Sequence, residues 1–246
     1  MKAKFLLSAF LVLSVSLLNA QTSNKRYGIP LIGSEAPTFT AESTNGVLNF
    51  PEDFGKKWKI LFSHPKDFTP VCTHEILHLA LLQDQFEDLD VEIAILSTDT
   101  KELHLLWKNS MEEILSKRAY PVKIKFPFID DPKGKVAKLY GMIHEDLNSS
   151  KTVRGVFIIN PDNVIEAVTF YPFTVGRSLK EMLRAVQALQ TVEASKLFTP
   201  ADWQPFNDLL VPKYPYTEKE LIENPELLND YYKIGSYLWY KKTREE

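Results

Sequence analysis

The chain has 246 residues, 44% of them hydrophobic and 25% charged, which suits about one to two globular domains with a sizeable core. Its net charge is −3, and no basic block or basic–aromatic stripe offers a footprint for nucleic acid.

The first residues read as an export signal. Lys2 and Lys4 form a short positive region, Phe5 to Leu18 is an apolar run too short for a membrane span, and small Ala20 suits a cleavage site. The expectation is a signal peptide over residues 1–20 and a mature chain starting near Gln21, periplasmic or secreted, with no stable membrane anchor after processing. An uncleaved N-terminal anchor is the alternative, and the lack of a cysteine at the cleavage point argues against a lipoprotein. Residues 21–29 read as a polar linker, 30–192 as the main domain and 193–246 as a C-terminal extension.

Within the main domain, Asn45-Gly46 signals a turn ahead of a short strand, Val47 to Phe50. The run Ile60-Leu61-Phe62 reads as a buried strand. A Pro-rich loop from His64 to Pro70 then leads into a helix ending near Leu89, with Thr69 at the N-cap and Pro70 as first helical residue. Leu77, Leu81, Leu82, Phe86 and Leu89 are its expected buried face. Val91 to Ser97 is a second buried strand. Thr98 to Thr100 cap a helix through about Lys117, with Leu103, Leu106, Trp107, Ile114 and Leu115 expected inward. A turn at Asp130 to Gly134 precedes a short helix near Val136 to Tyr140.

Val153 to Ile159 and Val164 to Phe170 predict an antiparallel hairpin across Asn160-Pro161-Asp162-Asn163. Ser178 and Glu181 predict a capping box opening a helix that carries Leu179, Met182, Leu183, Val186 and Leu189 inward. Strand, helix, strand, helix, hairpin and helix in that order give an α/β class: a thioredoxin-like mixed sheet flanked by helices. After Val192 the chain turns rich in proline and aromatic residues, with few long helical or strand patterns. It reads as a small extension that packs on its own domain or on a second subunit.

Cys72 is the single cysteine, so no intramolecular disulfide forms. One reading is an inert core thiol. The other follows from its place in the first turn of a helix, where free N–H groups and the dipole stabilise an anionic sulfur. The pattern Pro65-x-x-x-Thr69-x-x-Cys72, within Ser63 to Glu75 (SHPKDFTPVCTHE), resembles the active-site motif of the peroxiredoxins, and of their single-cysteine (1-Cys) group in particular. Val153-Arg154-Gly155-Val156-Phe157-Ile158, Val175-Gly176-Arg177-Ser178 and Thr199-Pro200-Ala201-Asp202-Trp203 extend the resemblance over most of the chain from about Pro30.

The resemblance implies a thiol-specific peroxidase for hydrogen peroxide and organic hydroperoxides. Cys72 is then the nucleophile, oxidised to a sulfenic acid that an external thiol or redox protein resolves. Thr69, Pro65, Arg154 and His64 join it as catalytic residues, and Arg154, Arg177 and Thr69 bind substrate. A homodimer or higher ring is implied, with no metal and no cofactor beyond the external thiol. The residues agree with the chemistry. Arg154 opens an otherwise apolar strand, where an unpaired charge is costly.

Two other classes compete. His74-Glu75-Ile76-Leu77-His78 is H-E-x-x-H, the signature of a zinc metalloprotease, for which Glu102, His104 or His144 would supply a third ligand. A non-catalytic thioredoxin-like binding module is the third reading. A lipase-like activity is not expected, because in Gly55-Lys56-Lys57-Trp58-Lys59 a lysine stands where the G-x-S-x-G element has its serine.

Overall fold

The computed structural model describes residues 28–147, 149–214 and 216–243. The segment expected to be a signal peptide, and nearly all of the linker, lie outside the described residues. Among the described residues no helix is long and apolar enough to cross a membrane.

In chain order the elements are β1 (Phe39–Ser43), β2 (Gly46–Phe50), β3 (Trp58–Ser63), α1 (Pro70–Asp88), β4 (Val91–Leu96), α2 (Lys101–Ser116), β5 (Phe128–Ile129), α3 (Lys135–Leu139), β6 (Arg154–Ile159), β7 (Ile165–Tyr171) and α4 (Leu179–Ser195). Seven strands form one mixed sheet in the order β2-β1-β5-β4-β3-β6-β7. Strand β3 is interior, parallel to β4 and antiparallel to β6, so that Leu61 lies between Ala94 and Phe157. All six residues of β3 are buried, as an apolar run covered on both faces requires.

Alternation along the central strands divides the core in two. Ile60, Phe62, Ile93, Ile95, Val156 and Ile158 face α1, α2 and α4. Leu61, Ala94, Leu96, Phe157 and Ile159 face Phe50, Val136 and Tyr140 on the other side. The expected thioredoxin-like sheet flanked by helices is therefore present, and so is the hairpin of β6 and β7. Strands β1 and β5 were not expected. The first pairs across the predicted Asn45-Gly46 turn with β2, and the second is only two residues long.

Two helix faces differ from expectation. On α1 the buried stripe is Cys72, Glu75, Ile76, Leu79, Ala80, Gln83 and Phe86, while Leu77, Leu81 and Leu82 are only partly buried at its margin. On α2 it is His104, Trp107, Met111 and Leu115, and both Leu106 and Ile114 are exposed. In both cases polar or small residues occupy the stripe, so following leucines alone points one step around the helix. The gain for α1 is that Cys72 and Glu75 share the face turned into the protein. At the start of α4 only half of the capping box forms: the Ser178 hydroxyl accepts from the Glu181 N–H at 3.3 Å, but the Glu181 carboxylate takes Arg184 instead.

The tail holds more order than its composition suggested. Strands β8 (Leu209–Leu210), β9 (Tyr231–Ile234) and β10 (Leu238–Lys241) form a separate sheet, and a short helix α5 (Glu218–Glu223) precedes β9. The rings of Tyr214 and Trp239 stack at 3.6 Å. Trp203 and Leu209 close against Ala188 of α4, and the Trp203 carbonyl accepts from Arg184 at 3.1 Å, which ties the tail to its own domain.

Ile95, in β4 and fully buried, measures the tightness of this core. Ile95→Ala is expected to lower unfolding stability by about 2–5 kcal/mol, read from the urea midpoint at unchanged slope.

Candidate active site around Cys72

Cys72 lies in the first turn of α1 and is fully buried. Strand β6 begins with Arg154, whose side chain crosses to the same point. Its Nη1 donates to Cys72 Sγ at 3.3 Å and to Glu75 Oε2 at 2.6 Å. Its Nε donates to the Phe173 carbonyl at 3.0 Å, and Nη2 reaches the same oxygen. The guanidinium is thus held on two sides with its charge against the sulfur.

Glu75 is the anchor of this arrangement, and sequence reasoning did not assign it to the site. Besides Arg154 it accepts from Arg177 three times: backbone N at 2.7 Å, Nε at 2.9 Å and Nη2 at 2.8 Å. The remaining Arg177 nitrogen, Nη1, donates to the Gly155 carbonyl at 3.0 Å, and the guanidinium lies 3.4 Å over the Phe62 ring. Burial pushes the Glu75 carboxyl upward, but the two arginines outweigh it and hold the group below the usual carboxylate range. The signal for Glu75 was available: three residues past Cys72 puts it on the same helix face.

The loop between β3 and α1 is fixed at many points. Pro65 is buried and contributes no donor. Thr69 is the N-cap of α1 by position, yet its hydroxyl makes no capping bond and donates to the Lys66 carbonyl at 2.9 Å. The expected N-cap position holds without its side-chain bond, and among the described residues no donor engages the hydroxyl oxygen. Phe68 sits in the left-handed region at φ 54°, a costly conformation for an aromatic residue.

Asp67, next to Phe68, opposes that strain. One carboxylate oxygen meets His64 Nε2 at 2.7 Å and the other His104 Nδ1 at 2.7 Å. Its N–H donates to Asp99 at 2.8 Å, and Lys151 Nζ stands 3.3 Å from the second Asp99 oxygen. His104 also meets the Ile129 carbonyl at 3.1 Å, and the Thr152 hydroxyl donates to the His64 carbonyl at 2.6 Å.

The expected residues therefore divide. Cys72, Arg154 and Arg177 form one hydrogen-bonded cluster through Glu75. His64 belongs to a second cluster with Asp67 and His104. Its Nδ1 has no hydrogen-bond partner among the described residues, and its ring packs 4.9 Å from Trp107. Ligand atoms of His64, Asp67 and Asp99 lie within 4.8 Å of one another, and the hydrogen bonds and Lys151 account for that grouping. The H-E-x-x-H arrangement is broken by the same facts: its glutamate points inward to two arginines, its histidines are exposed, and His104 is committed to Asp67.

Two measurements probe these clusters. Glu75→Gln leaves two buried guanidinium groups without the carboxylate that pairs them, and is expected to cost about 3–5 kcal/mol of stability. Burial of His64 pushes its ring below the ordinary histidine value, against the upward pull of Asp67. The unfolded chain then binds a proton below about pH 6.5 that the folded chain refuses, so stability falls as the solution is acidified. The urea midpoint should drop between about pH 7 and pH 5, and more shallowly in His64→Gln.

Comparison with known proteins agrees with this geometry. The model of the AhpC/TSA family matches residues 32–168. A peroxiredoxin of Methanosarcina mazei is 44% identical over 185 residues, 75% of this chain and 84% of its own. Peroxiredoxin 2 of Caldanaerobacter subterraneus is 38% identical over 218 residues, 89% of this chain and 96% of its own. Among solved structures, the yeast mitochondrial 1-Cys peroxiredoxin superposes with a TM-score of 0.75 at 36% identity, covering 87% of this chain and 100% of that one. A cysteine-to-serine variant of peroxiredoxin 6 from Arenicola marina gives 0.76 at 32% identity, covering 89% and 100%. The family match, the identities and the superpositions together show that the chain belongs to the AhpC/TSA family and is a peroxiredoxin, a thiol-dependent peroxidase, whose single cysteine fits the 1-Cys type.

Proposed function

We propose that Cys72 is the peroxidatic nucleophile and that the chain reduces hydrogen peroxide and organic hydroperoxides through a sulfenic acid resolved by an external thiol. The observation that carries this reading is the 3.3 Å contact between Arg154 Nη1 and Cys72 Sγ. Charge supports it. Arg154 and Arg177 bring two positive charges and Glu75 one negative, all buried. An anionic sulfur makes the cluster neutral, which a low-dielectric interior favours.

The steps follow. The Cys72 thiolate attacks the terminal peroxide oxygen, the O–O bond breaks, and the electron pair leaves with water or an alcohol once a proton is supplied. Arg154 stabilises the charge that moves from sulfur to oxygen. The Thr69 hydroxyl, free to accept, orients the peroxide, Arg177 holds Arg154 in place through Glu75, and buried Pro65 keeps bulk water off the sulfur. Cys72 is now a sulfenic acid. An external thiol forms a mixed disulfide with release of water, and a second thiol restores the cysteine. Because Cys72 is fully buried, a bulky thiol reaches it only when the first turn of α1 moves. His64 does not touch the sulfur, and its part is to hold the loop through Asp67.

The reading extends to setting. The reductant is a small thiol or a thioredoxin-like protein, and the work is antioxidant defence outside the cytoplasm after removal of residues 1–20. A homodimer is supported by exposed apolar side chains next to the site and in the extension, among them Phe173 and Phe206.

Stopped-flow oxidation tests the core of this. Peroxide is expected to add one oxygen at Cys72, trappable by a sulfenate reagent, and Cys72→Ser to abolish turnover; full activity in that variant defeats the proposal. Arg154→Gln removes one preorganised donor and should slow oxidation by about 10²–10³-fold.

A further inference from the structure

Peroxidase chemistry leaves one sequence feature unused, the two histidines on the outer side of α1. The chain has five histidines. His64 and His104 are buried on Asp67, and His144 packs on Phe170. His74 and His78 are different. Both are exposed, and their rings lie 4.3 Å apart at an angle of 30°. No hydrogen bond or ion pair among the described residues engages either ring.

We propose that His74 and His78 form a bidentate surface site for a divalent transition cation of the imidazole-preferring kind: Cu²⁺, Ni²⁺ or Zn²⁺. Residues four apart on a helix stand one above the other, so two imidazoles converge on a single ion. Imidazole nitrogens bind such ions at about 2.0–2.1 Å, and exposed side chains turn freely to reach that distance. The ligand set is two neutral nitrogens completed by water, which excludes the hard ions Mg²⁺ and Ca²⁺. Glu75 takes no part, since it is buried and both its oxygens are held by Arg154 and Arg177. The site is therefore a binding site and not a proteolytic one. Arg118, whose positive field reaches His78, keeps the affinity modest.

Bridging two successive turns of α1 also stabilises the folded helix by mass action, growing with the logarithm of the ratio of free ion to its dissociation constant. The effect needs no peroxidase turnover, so it stands apart from the reading of Cys72.

The test is Ni²⁺ titration of the untagged chain by calorimetry, with thermal unfolding as a second readout. One Ni²⁺ per chain is expected, together with a rise in melting temperature. His74→Ala and His78→Ala should each weaken binding at least tenfold and remove the rise; both positions are exposed, so both variants fold. Cu²⁺ should bind more tightly than Ni²⁺. If either histidine variant binds Ni²⁺ as the parent does, the pair is not the site and the proposal fails. Loss of binding in Cys72→Ser would move the ion to the sulfur and defeat it equally.

Discussion

Everything near the sulfur depends on one carboxylate between two guanidinium groups. Glu75 binds Arg154 with one oxygen and Arg177 with both. Without it, two buried positive charges would repel each other and swing apart. With it, Arg154 is fixed against Cys72, and β6, α1 and the start of α4 are joined at one point. The loop after β7 joins too, since the Phe173 carbonyl takes the other edge of Arg154. A buried ion pair is usually weak evidence for stability. Here its use is positional: it orients a charge that faces the reacting atom.

The second constraint lies in the loop ahead of α1. Phe68 adopts a left-handed backbone that no glycine relieves. Such a residue persists only when its neighbours over-determine it. Asp67 does that from one side, with both carboxylate oxygens and its N–H engaged. The Thr69 hydroxyl does it from the other, by bonding back to Lys66 rather than capping the helix. The result is an N-cap residue whose hydroxyl bonds back into the loop and not to the helix.

Much of this was legible in the chain itself. The central strands announced themselves as apolar runs, the helix start as Thr-Pro, and the place of the lone cysteine as that first turn. Arg154 was visible because a charge at the head of an apolar strand needs a partner. What sequence reading missed has a common physical cause. Glu75, Gln83, His104 and Asp67 are polar residues on buried faces, and a hydrophobic pattern treats them as solvent-facing. Each is buried because its partner comes from a distant segment: Arg177 for Glu75, Lys123 and Lys125 for Gln83, Asp67 for His104. Strand β5 was missed for the opposite reason, being too short to show a period.

The helix that carries Cys72 shows why a short motif cannot be read apart from the face it occupies. Positions 72, 75, 76 and 79 lie on the inner side, and 74 and 78 on the outer. H-E-x-x-H takes one residue from the first set and two from the second. A metalloprotease needs its glutamate beside the water that the metal holds. Here the glutamate is buried and held by two arginines while the histidines stand exposed, so they sit in different dielectric environments. The inner side sets the Cys72 sulfur against Arg154, itself held by Glu75. The outer side offers two free nitrogens to solvent. One stretch of sequence thus places its residues in two separate environments, and the 3.6-residue period of the helix decides which residue meets which.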